Sequence, residues 1–453
     1  MPSRRQPRLG PCYNQRMKNN LANRTNACWY AEAICLGITV GFSEVLLAIY
    51  YGSASMDAVT LGLFMTFPAA IGAVTQVVMT SLKKTLGSAR AFASAAIVIQ
   101  ILGLLTMASG LYANASDHVM MFVGQCLYWM GGMTSASPTQ EILAGGVDAC
   151  RHNQFFSRRA ILMTVLTLIC NLTSAQVLKY GLTPSLMAMF LVIAAGARFG
   201  SLLLIFIFAA KRPVERARRP ALVQDEAVVS ILKLSLVMMV FRCAVNISSP
   251  FFSAYMLQDL HLDLVVYSML TAVPLVSKML WLTNWAKLLD DNKKFEGLCI
   301  AMLSIGIVPI MWAMGSSKIW LGMLQVLAGL SWAGFDLISI LLVQSMYPRS
   351  ITQKLGLFLA LSSIGSVAGS LVGGLILEAT HNYHILFAVS GTMRLLAGYF
   401  VLAYLRQNQL FKFQQLKMKS GLATLLLVVN PRRRPRQFMP SSPPQDSRSD
   451  RVA

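Results

Sequence analysis

Charge is what this chain has least of. Only 13% of its 453 residues are Asp, Glu, Lys or Arg, and the acids are the scarcer kind, 18 against 39 bases. A soluble domain carries about 25% charged residues, so a soluble globular class is excluded. Histidine is nearly as scarce. His118, His152, His261, His381 and His384 all fall in or near predicted loops, which disfavours an intramembrane enzyme working with a His base. His381 and His384 are three apart, but two histidines without further ligands do not make a metal site. No Walker A pattern occurs, which argues against ATP-driven pumping by this chain, and no GxSxG or HExxH signature marks a hydrolase. The eight cysteines (Cys12, Cys28, Cys35, Cys126, Cys150, Cys170, Cys243, Cys299) form no CxxC pair, so neither a zinc site nor a disulfide framework is indicated. The chain is read as no enzyme, with no metal and no cofactor.

What is abundant is apolar residue, 55% of the chain. Apolar runs of about 20 residues recur through most of the length, enough to cross ~30 Å of hydrocarbon. They do not alternate apolar with polar, which excludes a membrane barrel. Twelve spans are predicted, over residues 27–51, 59–82, 91–112, 119–143, 160–180, 184–210, 229–257, 264–288, 297–315, 319–346, 355–377 and 384–406. Leu422 to Val429 is too short to span, and the tail beyond it is rich in Pro, Ser and Arg, a composition expected to be disordered. At the other terminus the first run is too long for a signal peptide. Met17 is an alternative start to Met1, since the residues before it read as an extension.

A net charge of +21 invites a nucleic-acid reading, but the bases collect in the tails and in alternate loops. With the N-terminus in the cytoplasm, 32 of the Lys and Arg lie in segments on that side. Only Lys179 and Lys318 lie on the other, and, with the span-end residues Lys179, Lys287 and Arg406 counted in the loops they adjoin, five fall deeper within spans (Arg198, Lys233, Arg242, Lys278, Arg394). That is a positive-inside pattern. It predicts an all-α polytopic membrane protein with both termini cytoplasmic and no nucleic-acid role. The polar segment 211–228 divides the spans six and six. The expected organisation is a basic N-tail (1–26), a six-helix half (27–210), a basic linker (211–228), a second half (229–406) and a basic tail (407–453). Internal echoes support a repeat. Pro68 precedes Lys84 by 16 residues and Pro274 precedes Asp290 by 16, each a helix that ends in a charged loop. Arg198 lies 13 residues before Lys211, and Arg394 lies 12 before Arg406. Two such halves, related by an axis along the membrane normal, form a known transporter architecture.

At the loops between spans 2–3 and 8–9 the chain resembles the major facilitator superfamily. That family carries Gly-x-Leu-x-Asp-Arg-x-Gly-Arg-Lys or a close variant there. The second copy, AKLLDDNKK, keeps Leu288, Asp290, Lys293 and Lys294 but has Ala286 for the glycine and Asp291 for the arginine. The first, SLKKTLGSAR, keeps Leu82, Gly87 and Arg90 but has Lys84 for the aspartate. The segments GFSEVLLAIYYG, LFMTFPAAIGAVTQ, FFSRRA, SPFFSAYML and LSWAGFDL are similar to a bacterial group within it. The resemblance implies a secondary active transporter in the bacterial inner (plasma) membrane. It would move a small organic solute by alternating access, with protons as a candidate coupling ion and lipid as its surroundings, and no obligate protein partner is evident. The alternative is a transport-inactive membrane sensor or scaffold with the same fold.

Within the spans, each charge costs about 2.5–3.5 kcal/mol at mid-bilayer on insertion scales. Arg242 and Lys278 fall near mid-depth in spans 7 and 8, which line the central cavity in the resembled fold. They are candidates to bind an anionic group of the solute or to pair with acids. The acids are Glu44, Asp336 and Glu32, with Glu44 and Asp336 also candidates to carry a proton; permanent structural ion pairs are the competing reading. Pro68, Gly72 and Gln76 share a helical face, as do Pro274 and Lys278, so Pro68 and Pro274 are candidate helix bends and Gln76 a candidate contact. Arg198 and Arg394, in spans outside the cavity of the resembled fold, are expected to be structural. Gly365, Gly369 and Gly373 form a close-packing face, and Gly131, Gly132 and Gly334 are expected to serve similarly. Asp290 with Arg158 and Arg159 are candidate cytoplasmic gate pairs.

Overall fold

A backbone deprived of water must satisfy its own polar groups, and the helix is the local way to do so. Each apolar run is accordingly helical. The computed structural model describes the backbone of residues 11–54, 56–86, 88–113, 118–147, 152–208, 225–288, 294–346 and 351–407, and the side chains of 27–54, 56–79, 88–113, 118–143, 147, 155–208, 231–286, 295–343 and 355–407. Among the described residues there is no strand, and twelve long helices follow one another. These are α1 (Pro11–Ser53), α2 (Ala58–Leu86), α3 (Ala89–Ala113), α4 (His118–Gly146), α5 (His152–Leu178), α6 (Pro184–Phe208), α7 (Asp225–Asn246), α8 (Leu264–Leu288), α9 (Lys294–Trp312), α10 (Lys318–Met346), α11 (Ile351–Thr380) and α12 (Tyr383–Gln407).

Eleven of the predicted spans meet the length and hydropathy of a membrane crossing among the described residues. The twelfth, α4, falls short because its second half reads TSASPTQE. Two boundaries depart from expectation. Helix α1 begins at Pro11, inside the basic tail expected to precede the bundle; proline suits a first helical turn, where its missing N–H has no role. The seventh span is not one helix. After Asn246 it passes through a 3₁₀ turn (Ser249–Phe251), an α turn (Phe252–Ala254) and a π turn (Tyr255–Asp259). Pro250 has no N–H to continue the α ladder. Residues 211–224 of the expected linker 211–228 and 408–453 of the expected tail 407–453, with its apolar patch, lie outside the described residues, and α7 begins inside that linker, at Asp225.

Helix α1 packs against α5 and α6, α2 against α4, and α3 against α4 and α6. The same pairings recur six helices later: α7 against α11 and α12, α8 against α10, and α9 against α10 and α12. Contacts between the two groups are led by α2 with α11 and α5 with α8. The α7–α11 seam is the closest, because α11 presents glycine to it. A Cβ on Gly369 would stand 2.0 Å from the Cys243 carbonyl oxygen, and one on Gly373 1.9 Å from that of Ile247. Pro68 and Pro274 sit inside α2 and α8, which both continue through them. The Pro68–Gly72–Gln76 face is turned to α4, since a Cβ on Gly72 would meet the Trp129 oxygen at 2.7 Å.

The apolar core is joined at one end and split at the other. At the end of the α1–α2, α7–α8 and α11–α12 turns, Tyr51, Leu61, Phe251, Tyr255, Trp312 and Leu377 belong to one cluster spanning both groups. At the end bearing the chain termini the clusters are separate. Trp29, Ile97, Phe155 and Ile205 form one, and Trp285, Leu298, Leu342 and Leu405 belong to the other.

Candidate functional site

The first charged cluster is built by α7, α8 and α10. Lys278 Nζ donates to Asp336 Oδ2 at 2.5 Å, and Arg242 Nη2 approaches Asp336 Oδ1 at 3.5 Å. Two cations thus share one carboxylate. The Arg242 guanidinium also lies 5.1 Å from the ring centre of Trp332 and 5.2 Å from that of Phe335, which fixes its plane by cation–π attraction. The side chains are 26%, 40% and 30% exposed for Arg242, Lys278 and Asp336. Solvent-sized groups therefore reach them, unlike the inaccessible ion pairs that serve packing alone.

The second cluster is built by α1, α3, α4, α5 and α6 around Glu32, which is wholly buried. Arg159 Nη2 donates to Glu32 Oε2 at 2.5 Å, Ser201 Oγ donates to Oε1 at 2.9 Å, and Arg198 Nη1 stands 3.7 Å from Oε1. Arg198 also donates to Gln100 Oε1 (2.7 Å), Ser135 Oγ (3.0 Å) and Ser201 Oγ (3.1 Å). Here again one carboxylate stands between two cations. The cluster opens on a cavity of ≈ 330 Å³. Glu32, Leu36, Val40 and Glu44 line its α1 side, spaced by four and so on one helical face. Gln100, Tyr128, Trp129, Thr139, Gln140, Arg159 and Arg198 line it from α3 to α6.

Glu44 holds the other end of that face. Its Oε1 accepts from Tyr128 OH at 3.4 Å, and Tyr128 OH in turn accepts from Ser43 Oγ at 3.0 Å. Among the described residues no cation pairs with Glu44. The fold therefore brings Lys278, Arg242 and Asp336 into one cluster and Glu32 with Arg159 into another, with Glu44 on the cavity of the second. Gln76 is half-buried, lines none of these sites, and makes no hydrogen bond among the described residues. Arg158 is exposed, and Asp290 lies outside the described residues.

Arg198, expected to be structural on a span outside the central cavity, bonds Gln100, Ser135 and Ser201 and also lines this cavity. Helix α6 packs on both α1 and α3, and a guanidinium reaches past that contact to the far wall. Arg394 does as expected. It is buried, with no acid beside it among the described residues, and donates to the carbonyls of Val245 (2.7 Å) and Ile305 (3.2 Å) and to Ser248 and Ser390. Gln100, Tyr128 and Thr139 were not singled out by sequence. Gln100, a lone amide in the apolar α3, was the readable signal; a Cβ on Gly132 would collide with its Nε2 at 2.8 Å. Among the described residues no three His, Cys, Asp or Glu side chains gather as metal ligands.

The end away from the termini is tied by polar contacts across the two groups. Thr66 Oγ1 and Ser370 Oγ are 2.7 Å apart, Val59 N–H donates to Glu378 Oε1 at 3.1 Å, and Gln258 Nε2 donates to the Ala54 carbonyl at 3.1 Å. Lys179 and Asp263 pair at 3.6 Å. Beside these, Asp57 Oδ2 accepts from Thr60 N–H at 2.7 Å, capping α2, and that bond holds the Asp57 carboxyl below its ordinary range.

Residues 234–439 match the family model of the Major Facilitator Superfamily. No curated protein matches the chain. Among solved structures it is similar to a single-residue mutant of the nucleoside transporter NupG, at 13% identity and TM-score 0.69, covering 84% of this chain and 99% of that one. It is also similar to a mutant of the peptide transporter POT in complex with alafosfalin, at 13% identity and TM-score 0.66, covering 86% and 96%. A POT family transporter in complex with 5-aminolevulinic acid follows at 11% identity and TM-score 0.64, covering 85% and 96%. The chain is thus a multi-pass membrane protein with the fold of major facilitator transporters, and the expected resemblance to that superfamily is borne out over residues 234–439.

Proposed function

We propose that this chain, with its major facilitator fold, is a secondary transporter that moves a small organic solute bearing an anionic group, by alternating access of two six-helix halves. The pairings that recur six helices apart support two related halves, 27–210 and 229–406. The positive-inside bias supports cytoplasmic termini, tail and linker in a bacterial inner membrane. On that placement the joined core and the split core make this an inward-open arrangement, its outer end held by Thr66–Ser370, Glu378–Val59 and Lys179–Asp263. Closing the inner end would bring Arg158 and Arg159 toward Asp290. The neighbours' nucleosides and peptides are not carried over, because 13% identity supports a fold and not a cargo.

The observation that carries the reading is the Lys278–Asp336–Arg242 cluster, with one more cation than acid and all three side chains partly open. An anionic group entering there finds an excess cation already held in place. Glu44, with a hydroxyl partner and no cation, is the first candidate for a coupling proton, and Asp336 the second. The test is solute flux in vesicles after a ligand screen by thermal shift on purified protein. Lys278→Ala and Arg242→Ala should each weaken solute binding by about tenfold or more, the scale of one charge-assisted bond, without loss of folding. Wild-type protein that moves no solute in either direction would leave the sensor or scaffold reading standing instead. For coupling, Glu44→Gln and Asp336→Asn are assayed with and without a pH gradient; gradient-driven uptake unchanged in both would remove the proton.

A further inference from the structure

We infer that the α1–α6 cavity holds a second oxyanion subsite, at Arg159 and Thr139, so that the solute is a dianion with one acidic group received in each half. This rests on the transporter reading above and names its substrate class. Among the described residues, two buried donors lining the cavity have no acceptor: Arg159 Nε–H and Thr139 Oγ–H. Thr139 is only 7% exposed, so bulk water does not serve it. A buried donor left unpaired is uncommon and calls for a partner. Both groups donate, and a guanidinium only donates, so the missing partner is an acceptor.

Charge says what kind. Around the two clusters, Arg159, Arg198, Arg242 and Lys278 face Glu32 and Asp336. Each cluster is left with one positive charge in excess. Glu44 does not cancel the excess near Arg159. It lies three four-residue steps along α1 from Glu32, about 18 Å at 1.5 Å per residue, and binds Tyr128. A neutral amide or a water would fill one donor but leave the charge. A carboxylate or a phosphate satisfies both donors and the charge together, since such oxyanions accept several charge-assisted bonds at once. The helices that carry the subsites are neighbours, Arg159 on α5 and Lys278 on α8, which pack across one seam. A small solute with an acidic group at each end, a dicarboxylate or a phosphate ester of an organic acid, matches this pair of sites.

The experiment is calorimetric binding to the full-length protein in nanodiscs, at equal ionic strength. The probes are succinate and phosphoglycolate as dianionic or higher-charged compounds, with butyrate as the single-group control. Wild-type protein should bind at least one of the first two about tenfold or more tighter than butyrate, the worth of a second charged contact. Which of the two binds identifies the carboxylate or phosphate source. Thr139→Val keeps the shape and removes the hydroxyl. Arg159→Lys keeps the charge beside Glu32 and removes the Nε–H fork. Both should bring that ligand to the level of butyrate. Equal binding of all three to wild type, or a dianion advantage that survives both variants, would overturn the inference and leave the Lys278 site standing. No binding of any of the three would overturn the inference, and continued flux of some other solute would then show that the transporter reading had not failed with it.

Discussion

Glu32 has no exposed surface and two arginines against it, so its removal is the most damaging single change at the residue scale. Breaking one partner of a buried ion group strands the others, at about 3–5 kcal/mol. Glu32→Gln should lower the thermal midpoint in detergent by several degrees, and adding Arg198→Met should recover part of the loss, because the stranded charge then goes too. Thermal unfolding of the two variants side by side checks this; a double variant as unstable as the single one would mean that packing, not charge, is at stake. Arg394 poses the opposite case. It has no acid, only carbonyl and hydroxyl oxygens from α7, α9 and α12. Arg394→Lys keeps the charge but cannot span three helices from one compact ammonium, and should cost about 2–3 kcal/mol, the range of a bond to a charged group. Charge in a span was legible from sequence for both arginines. What each does was not, because a long side chain reaches one helix further than the helix that carries it.

Among the elements, α11 is the least tolerant. Its glycines let the α7 backbone approach to contact. Gly369→Ala should separate α7 from α11 and lower both folded yield and thermal stability, by about 1–3 kcal/mol as for an overpacked core. Size-exclusion recovery of the detergent-solubilised variant is the readout. A Cβ on Gly334 would meet the indole of Trp285 at 2.6 Å, and that ring is buried and bonded to the Leu330 carbonyl, so alanine there should also be costly. At the start of α2, Asp57→Ala should remove a cap worth about 1 kcal/mol. The Asp57 carboxyl is depressed in the folded state, so its contribution is present above the ordinary aspartate value of ~3.9 and fades as pH falls through the lower folded value. Wild type and Asp57→Ala should therefore differ at neutral pH and converge in strong acid. The repeat spacing from Pro68 and Pro274 to their loops foretold paired helices. The break in the seventh span was marked only by Pro250, and hydropathy runs through it without a change.

For the whole molecule, the proposed alternating access makes the joined and split cores one of two states. Thr66 and Ser370, hydrogen-bonded across the tied end, are the place to arrest it. In a background without the native cysteines, Thr66→Cys with Ser370→Cys should oxidise readily and stop solute flux, and reductant should restore it. Flux that persists with the cross-link formed would mean that this end does not open during transport.

Hydropathy and basic-residue placement, taken with no structure, determined that the chain crosses a membrane many times, roughly where each helix runs, and which residues carry charge through lipid. These follow from local physics: a run of about 20 apolar residues is costly anywhere but in hydrocarbon, and each charge among them is visible one residue at a time. Only the tertiary structure decided the partners. Glu32 on α1 and Arg198 on α6 have four helices between them in sequence, yet share one pocket because α6 lies on α1. Asp336 took both Lys278 and Arg242, while Glu44 took neither. Such pairings depend on which faces meet when helices pack, and lipid-facing and cavity-facing residues of a span have nearly the same composition where the cavity wall is itself largely apolar.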